Sequence, residues 1–144
     1  MSSEQLYSTF SLGEHHFGVD VNTVQEIIRY QKMTPVPLAD PVIRGLINLR
    51  GQIVTAMDLR RRIEMDDLPA DKKSMNVVIR TEDGAICLLV DEIGDVISVE
   101  DQAFEDCPET LKGVARDLIK GAYKLEKKLL LILDTKKVCQ LENA

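Results

Sequence analysis

The sequence predicts an all-β protein with a few short helices, built from two similar halves of one domain. First, apolar and polar residues alternate along residues 6–12, a period of two that is typical of a half-buried strand. Second, the uninterrupted apolar run at residues 129–133 has the length of a strand. Third, residues 45–63 align without a gap on residues 121–139, so one order of apolar runs, turn and aspartate occurs twice.

The opening elements are predicted to be strands. The alternating strand ends at the Gly13-Glu14 turn, and residues 17–21 return as a second strand. Residues 22–28 place apolar side chains three and four apart and could form a short helical turn, with a strand at residues 26–30. Three prolines at 35, 37 and 41 then predict an extended, irregular crossing.

A hairpin over residues 45–54 is the most informative feature of the first half. Its two apolar runs meet at residues 48–51, where Gly51 can adopt a positive φ and close a tight turn. Arg50 is then held on a rigid tip, and its planar charged fork suits a carboxylate on a partner protein. Asp58 precedes residues 59–63 and is predicted to cap a short helix.

The second half repeats this plan after a polar connector at residues 64–73. Residues 76–80 and 85–91 are predicted strands around the Asp83-Gly84 turn, and the second of them is apolar enough to be buried on both faces. A loop over residues 101–112 leads to a hairpin that turns at Glu126-Lys127, and Asp134 again precedes a short helix. Halves at 1–72 and 73–144 have about five strands each. We therefore expect two small closed barrels that share an apolar interface with a groove at their junction.

Composition excludes several classes of function. A net charge of −6 and six aromatic residues argue against a barrel that binds single-stranded nucleic acid, which needs a basic groove and stacking rings. The longest apolar run, residues 85–90, is far shorter than the ~20 residues that span a bilayer, and the first residues do not resemble a signal peptide. Three widely spaced cysteines are expected to be reduced thiols in a cytoplasmic protein.

No catalytic, cofactor or metal motif is evident. The adjacent His15 and His16 should point to opposite faces of a strand and so cannot chelate one metal together. Cys87 lies in an apolar strand, which should raise its pKa and make it a poor nucleophile. The cluster at residues 60–62 could bind an acidic partner, but three arginines near a helix end more simply complement nearby acids and the helix C-terminus. We therefore predict a non-enzyme without a cofactor.

Taken together, these motifs resemble the CheW family, the adaptors of bacterial chemosensory arrays. The resemblance runs from Phe10 to about residue 141, and its members have two five-stranded barrels, described as SH3-like or as OB-like with exchanged strands. Its motifs are VQEI at 24–27, GLINLRG at 45–51, MDL at 57–59, LVD with Ile93, Asp95 and Val96 at 89–96, and LILD at 131–134.

The resemblance implies a scaffold that links two signalling partners without chemistry of its own. Those partners are the cytoplasmic tip of transmembrane chemoreceptors and the regulatory domain of the histidine kinase CheA, with contacts between CheW and CheA or between CheW copies in array rings. A paralogous scaffold of another chemosensory-type pathway is the alternative. The implied receptor-binding positions are Val24, Glu26, Arg50, Cys87 and Ile93, and the implied kinase-facing positions are Val42, Ile43 and Gly45.

Two positions depart from the family pattern. Thr55 stands where many members have a proline, and Cys87 stands where a small residue, often glycine, is common. We expect the larger thiol to narrow one wall of the groove and to change which receptor is preferred.

Overall fold

The computed structural model describes residues 4–69, 72–82, 84–100, 103–109 and 113–140 and contains ten strands with short helices between them. The strands are β1 (Glu4–Leu12), β2 (His15–Asp20), β3 (Val24–Ile28), β4 (Ile43–Leu49), β5 (Gln52–Asp58), β6 (Met75–Thr81), β7 (Gly84–Val90), β8 (Glu92–Glu100), β9 (Ile119–Lys124) and β10 (Leu129–Leu133). The α-helices are α1 (Leu59–Arg62), α2 (Val114–Leu118) and α3 (Thr135–Cys139), and a 3₁₀ turn spans Val21–Thr23.

The strands form two five-stranded sheets that each take strands from both halves of the sequence. Sheet A has the order β8-β1-β2-β10-β9, and sheet B has the order β3-β6-β7-β5-β4. If each strand of one half is matched to the strand five places away in the other half, the two orders are identical. The duplication that the sequence predicts is therefore present in the topology, and strands are exchanged between the halves.

The repeat extends beyond the strands to the segments that pack against them. Thr34 forms a bridge with Leu46 in sheet B, and Glu105 forms the corresponding bridge with Ala122 in sheet A. Each bridge brings a backbone carbonyl against a glycine. A Cβ atom on Gly45 would lie 2.7 Å from the carbonyl oxygen of Thr34. These close approaches explain why both copies of the hairpin keep a glycine at this position.

Each sheet buries both of its faces, which explains the continuous apolar runs. Leu131 and Leu133 of β10 pack in a large cluster that both sheets share, whereas Leu130 and Ile132 pack in a smaller cluster within sheet A. Strand β7 divides its side chains in the same way, between the shared cluster and a cluster within sheet B. The inner cluster of sheet B consists of Ile47, Val54, Ala56, Val78, Cys87 and Leu89.

Most predicted elements are confirmed, and the differences have local causes. The two predicted aspartate caps are present, since Asp58 accepts a hydrogen bond from the Arg61 amide and Asp134 accepts one from the Lys137 amide.

The predicted helical turn at residues 22–28 is wrong beyond its 3₁₀ start, because Val24 already belongs to β3 and pairs with Ile79. Strand β8 and helix α2 were not assigned from the sequence, and Asp83 of the predicted turn lies outside the described residues. Among the described ladders none joins the two edges of a sheet, so barrel closure is not established.

The arginine cluster at residues 60–62 is structural, as the sequence favours. Arg60 pairs with Asp91, Arg61 pairs with Asp67, and Arg62 donates three hydrogen bonds to the carbonyls of Lys137, Val138 and Gln140 at the end of α3. All three guanidinium groups are therefore engaged in contacts within the chain.

The Arg60–Asp91 pair connects the two sheets. The Nε atom of Arg60 donates to Asp91 at 2.8 Å, and the amide of Gly13, in the β1–β2 turn, donates to the other carboxylate oxygen at 2.7 Å. The side chains of Arg60 and Asp91 are only 13% and 12% exposed. Burial alone would raise the pKa of Asp91, but the hydrogen bonds from Arg60 and Gly13 and the charge of Arg60 lower it overall.

We expect Asp91→Asn to destabilise the protein by about 3 kcal/mol at neutral pH, because it leaves a buried guanidinium without its counter-charge. Since the pKa of Asp91 is lower in the folded state, its contribution to stability is complete above its unfolded pKa, near pH 4, and declines as the pH falls through the folded value. Urea denaturation of both proteins from pH 7 to pH 3 checks this. The difference between them should shrink at acidic pH, and a constant difference would contradict the assignment.

Candidate functional site

The tip of the β4–β5 hairpin is a two-residue turn formed by Arg50 and Gly51. Both residues have a positive φ, 53° for Arg50 and 86° for Gly51, as a type I′ turn requires. The side chain of Asn48 accepts a hydrogen bond from the Gly51 amide at 3.0 Å and closes the loop. The positive φ of Gly51 is confirmed, but that of Arg50 was not predicted, because asparagine or glycine normally occupies this position. A strained backbone thus presents an arginine whose side chain is 83% exposed.

A row of directly opposed residues crosses the whole of sheet B. Glu26 on β3 is opposite Val78, Val78 is opposite Cys87, Cys87 is opposite Ala56, and Ala56 is opposite Gly45 on β4. Because opposed residues in a sheet share a face, all five lie on the face that holds the inner cluster. The row therefore places Glu26 on the same face of the sheet as the buried thiol of Cys87, two strands away.

Arg50 and Glu26 are brought together by the curl of sheet B. An Nη atom of Arg50 lies 3.3 Å from a carboxylate oxygen of Glu26, although β3 and the β4–β5 hairpin are at opposite edges of the sheet. A pair with one member this exposed contributes little to folding, about 0.5 kcal/mol. Glu26 orients the arginine, while most of the guanidinium's hydrogen-bonding capacity stays available to a partner.

Cys87 lies beneath the surface. Its side chain is completely buried in the inner cluster of sheet B, so it does not form an exposed groove wall. Burial, with a smaller effect from the charge of Glu26, raises the pKa of the thiol to about 11. The predicted direction of the pKa shift is confirmed, and the expectation that the thiol narrows an open groove is not supported by this position.

We expect Cys87 to react with a thiol reagent at pH 8 at least ~100-fold more slowly than an unfolded cysteine, because it is both buried and protonated. Cys139 is only partly buried, so its labelling should be slowed mainly because burial raises its pKa to about 11. Mass-spectrometric mapping of iodoacetamide labelling in the native and urea-denatured protein checks this. Fast native labelling of Cys87 would mean that the inner cluster of sheet B is open to solvent.

Val24 and Ile93 occupy different surroundings from the Arg50–Glu26 pair. A β-bulge between Val24 and Glu26 turns the two side chains to opposite faces of β3, and Val24 packs against the core shared by the sheets. Ile93 is on β8 in sheet A, where it is partly buried against the same shared core. No described contact joins Ile93 to Arg50, so the structure brings together only part of the predicted receptor set.

The predicted kinase-facing residues begin strand β4. Val42 packs partly in the shared core, and its carbonyl accepts the Asp58 amide. Ile43 is half-buried, whereas Gly45 is buried beneath the Thr34 segment and has no surface of its own. Arg44, between them, pairs with Asp58 at 3.0 Å, a contact that sequence reasoning missed.

Two features are absent from the described part of the chain, a cluster of metal-ligating side chains and a helix that could span a membrane. No cluster of three or more His, Cys, Asp or Glu residues there could hold a metal ion. No helix in the same residues is both long and apolar enough to cross a bilayer. His15 is exposed and its neighbour His16 is half-buried, in keeping with the alternation along β2.

Comparisons with known proteins decide the family. The sequence model of the CheW-like domain matches residues 6–143. This chain belongs to the CheW-like domain family. It is 33% identical over 138 residues to the chemotaxis protein CheW of Bacillus subtilis, covering 94% of this chain and 86% of that protein. It is 28% identical over 134 residues to the chemotaxis protein CheW of Treponema pallidum, covering 90% of this chain and 79% of that protein.

A solved structure supports the same conclusion at the level of the fold. The crystal structure of the scaffolding protein TtCheW from Thermoanaerobacter tengcongensis superposes with a TM-score of 0.82 at 26% identity, covering 91% of this chain and 89% of that one. The expected resemblance to the CheW family and the predicted fold class are therefore confirmed. A non-catalytic scaffold role in chemotaxis is consistent with the names of these relatives.

Proposed function

We propose that this chain is a cytoplasmic, non-catalytic adaptor that couples transmembrane chemoreceptors to the histidine kinase CheA in a chemosensory array. The observation that carries the proposal is the family match across nearly the whole chain, because it includes both sheets and the Arg50 hairpin. The adaptor is recruited to the membrane through its receptor partner.

The proposed receptor site is centred on Arg50. The turn fixes the backbone of this residue, Glu26 orients its guanidinium, and the side chain is largely exposed. A carboxylate on the receptor tip could accept a bidentate pair of hydrogen bonds from such a fork. Val24 adds apolar surface on the opposite face of β3, where sheet B meets the shared core, and Cys87 fills the inner cluster on the face that carries Glu26.

The proposed kinase-facing surface is the start of β4 at Val42 and Ile43. Both side chains are half-buried, so each leaves apolar area that a partner can cover. Gly45 acts indirectly, since its lack of a side chain lets the Thr34 segment pack against β4. Strand β5 runs from the Arg50 turn to α1, and its end lies beside the start of β4. One rigid hairpin therefore positions both proposed surfaces.

Affinity capture of the native chain from its own cells, after brief crosslinking, tests the proposal. We expect a CheA-type kinase and one or more chemoreceptors among the captured proteins, and the identity of those receptors would show which chemosensory pathway the chain serves. Capture of single-stranded nucleic acid, or of neither signalling partner, would contradict the proposal. A chain carrying Arg50→Glu serves as the control, because it should retain the kinase and lose the receptors.

A further inference from the structure

A cavity of about 310 Å³ lies between sheet B and the connector that joins α1 to β6. The segment after β3, the start of β4 and the end of β7 complete its wall. This volume is at the lower end of the range in which proteins hold small ligands, roughly 300–1,000 Å³. Arg50 and Glu26 of the proposed receptor site do not line the cavity, so the receptor site does not account for it.

Positive charge is concentrated around this cavity, although the net charge of the protein is −6. Four cationic side chains and two carboxylates line it. Each carboxylate is already matched by an arginine. Arg44 pairs with Asp58 at 3.0 Å, and the Nε atom of Arg60 donates to Asp91 at 2.8 Å. The charge that these two pairs leave unbalanced comes from two lysines of the connector.

Those lysines are Lys72 and Lys73. Consecutive residues of an extended segment usually point to opposite sides, yet both lysines line the same cavity. Neither forms an ion pair in the described part of the chain, although Lys72 is close enough to Asp91 to lower the pKa of that carboxylate. Like charges around one cavity repel each other, and an anion bound between them removes that repulsion.

The remainder of the lining is largely apolar. The Nζ atom of Lys73 lies 5.4 Å from the centre of the Tyr30 ring, a cation–π contact that holds this ammonium group beside the cavity. The ring of Tyr30 is itself partly exposed. Further apolar lining comes from Met33, Leu68 and Leu89. A bare ion has no use for such a wall, whereas a ligand with a charged group on an apolar body does.

We propose that this cavity binds a small phosphate monoester with an apolar body. The two ammonium groups match the two negative charges that such a phosphate carries above its second pKa, near 6. Lysine binds phosphate as a compact point charge, and the two arginines of the cavity are already engaged with carboxylates. The site is separate from the proposed receptor and kinase surfaces, and the proposal does not depend on them.

Titration of the isotope-labelled full chain with phenyl phosphate, followed by heteronuclear NMR, tests the proposal. At about pH 8 we expect the amides of Lys72, Lys73 and Tyr30 to shift, with a Kd on the order of 0.1–1 mM. Phenol lacks the charge, benzoate carries a single charge, and inorganic phosphate lacks the ring. Each of the three should bind at least ~10-fold more weakly than phenyl phosphate.

Variants of exposed residues show whether the lysines and the ring form the site. The double change Lys72→Gln with Lys73→Gln should weaken phenyl phosphate by roughly 10-fold or more. Its matched control is Lys127→Gln with Lys128→Gln, a pair of consecutive exposed lysines between β9 and β10, which removes the same charge elsewhere and should bind normally. Tyr30→Ala should weaken phenyl phosphate and leave the binding of inorganic phosphate unchanged.

Several results would overturn the proposal. These are the absence of amide shifts around the cavity, equal binding of phenyl phosphate and inorganic phosphate, which would mean an adventitious ion only, and equal binding of phenol or benzoate. Normal binding by the connector double variant would also overturn it, as would an equal loss in the control double variant, because the effect would then reflect net charge. The experiment involves neither receptor nor kinase, so its failure leaves the proposed function standing.

Discussion

Arg50→Glu is expected to weaken binding to a chemoreceptor tip fragment by about 100-fold or more, or ~2.7 kcal/mol. The change replaces five donors by a carboxylate next to Glu26, so it removes the proposed contact and also adds like-charge repulsion. Isothermal titration calorimetry with a receptor fragment measures the effect. Lys120→Glu, an equal change of charge at an exposed position on β9, should bind normally.

A second substitution at Arg50 separates binding from folding. Arg50→Asn creates an Asn-Gly pair, the preferred sequence for a type I′ turn, and asparagine tolerates the positive φ. We expect the free energy of unfolding to rise by about 0.5–1 kcal/mol while receptor affinity still falls. Normal receptor binding by either Arg50 variant would show that the receptor site is elsewhere.

Gly121→Ala should have the largest effect on stability, a loss of about 3 kcal/mol or more. A Cβ atom at this position would overlap the Glu105 carbonyl oxygen and the Phe104 ring, so the bridge between this segment and β9 could not form unchanged. Gly45→Ala should act similarly on the Thr34 bridge in sheet B. Chemical denaturation of both variants measures these losses.

The effect at Gly121 is steric and can be distinguished from backbone strain. Gly84 has a φ of 117° and open space around the position of a Cβ atom, so Gly84→Ala should cost only about 1 kcal/mol through its backbone. Equal losses for Gly84→Ala and Gly121→Ala would mean that the close approach of residue 105 to β9 is not a determinant of the fold.

Much of the fold is predictable because the apolar pattern is strong. The alternation in β1, the all-apolar runs in β7 and β10 and the two aspartates before α1 and α3 each reflect one local rule of burial or capping. The repeat in sequence also predicts two similar units. The sequence repeat does not reveal which strands pair. The exchange of strands between the halves depends on pairs of residues that are far apart in the chain, such as Leu131 beside Phe17.

The sequence predicts which kinds of residue form the candidate site but not how those residues are arranged. Arg50 at a hairpin tip follows from the apolar runs and the turn, and the family motif implies that Arg50 and Glu26 share a site, whereas a β-bulge that turns Val24 away from Glu26 has no signature in the sequence. Cys87 lies in an apolar strand, and period-two alternation alone does not tell which of two buried faces it occupies.

The proposed coupling is tested most directly by a bridging measurement. A receptor tip fragment is immobilised, the kinase regulatory domain is passed over it, and retention is measured with and without this chain by surface plasmon resonance. We expect the kinase domain to be retained only when the chain is present, and we expect Arg50→Glu to abolish retention while still binding the kinase domain in solution. Retention that does not depend on the chain, or equal retention with Arg50→Glu, would contradict the proposed coupling.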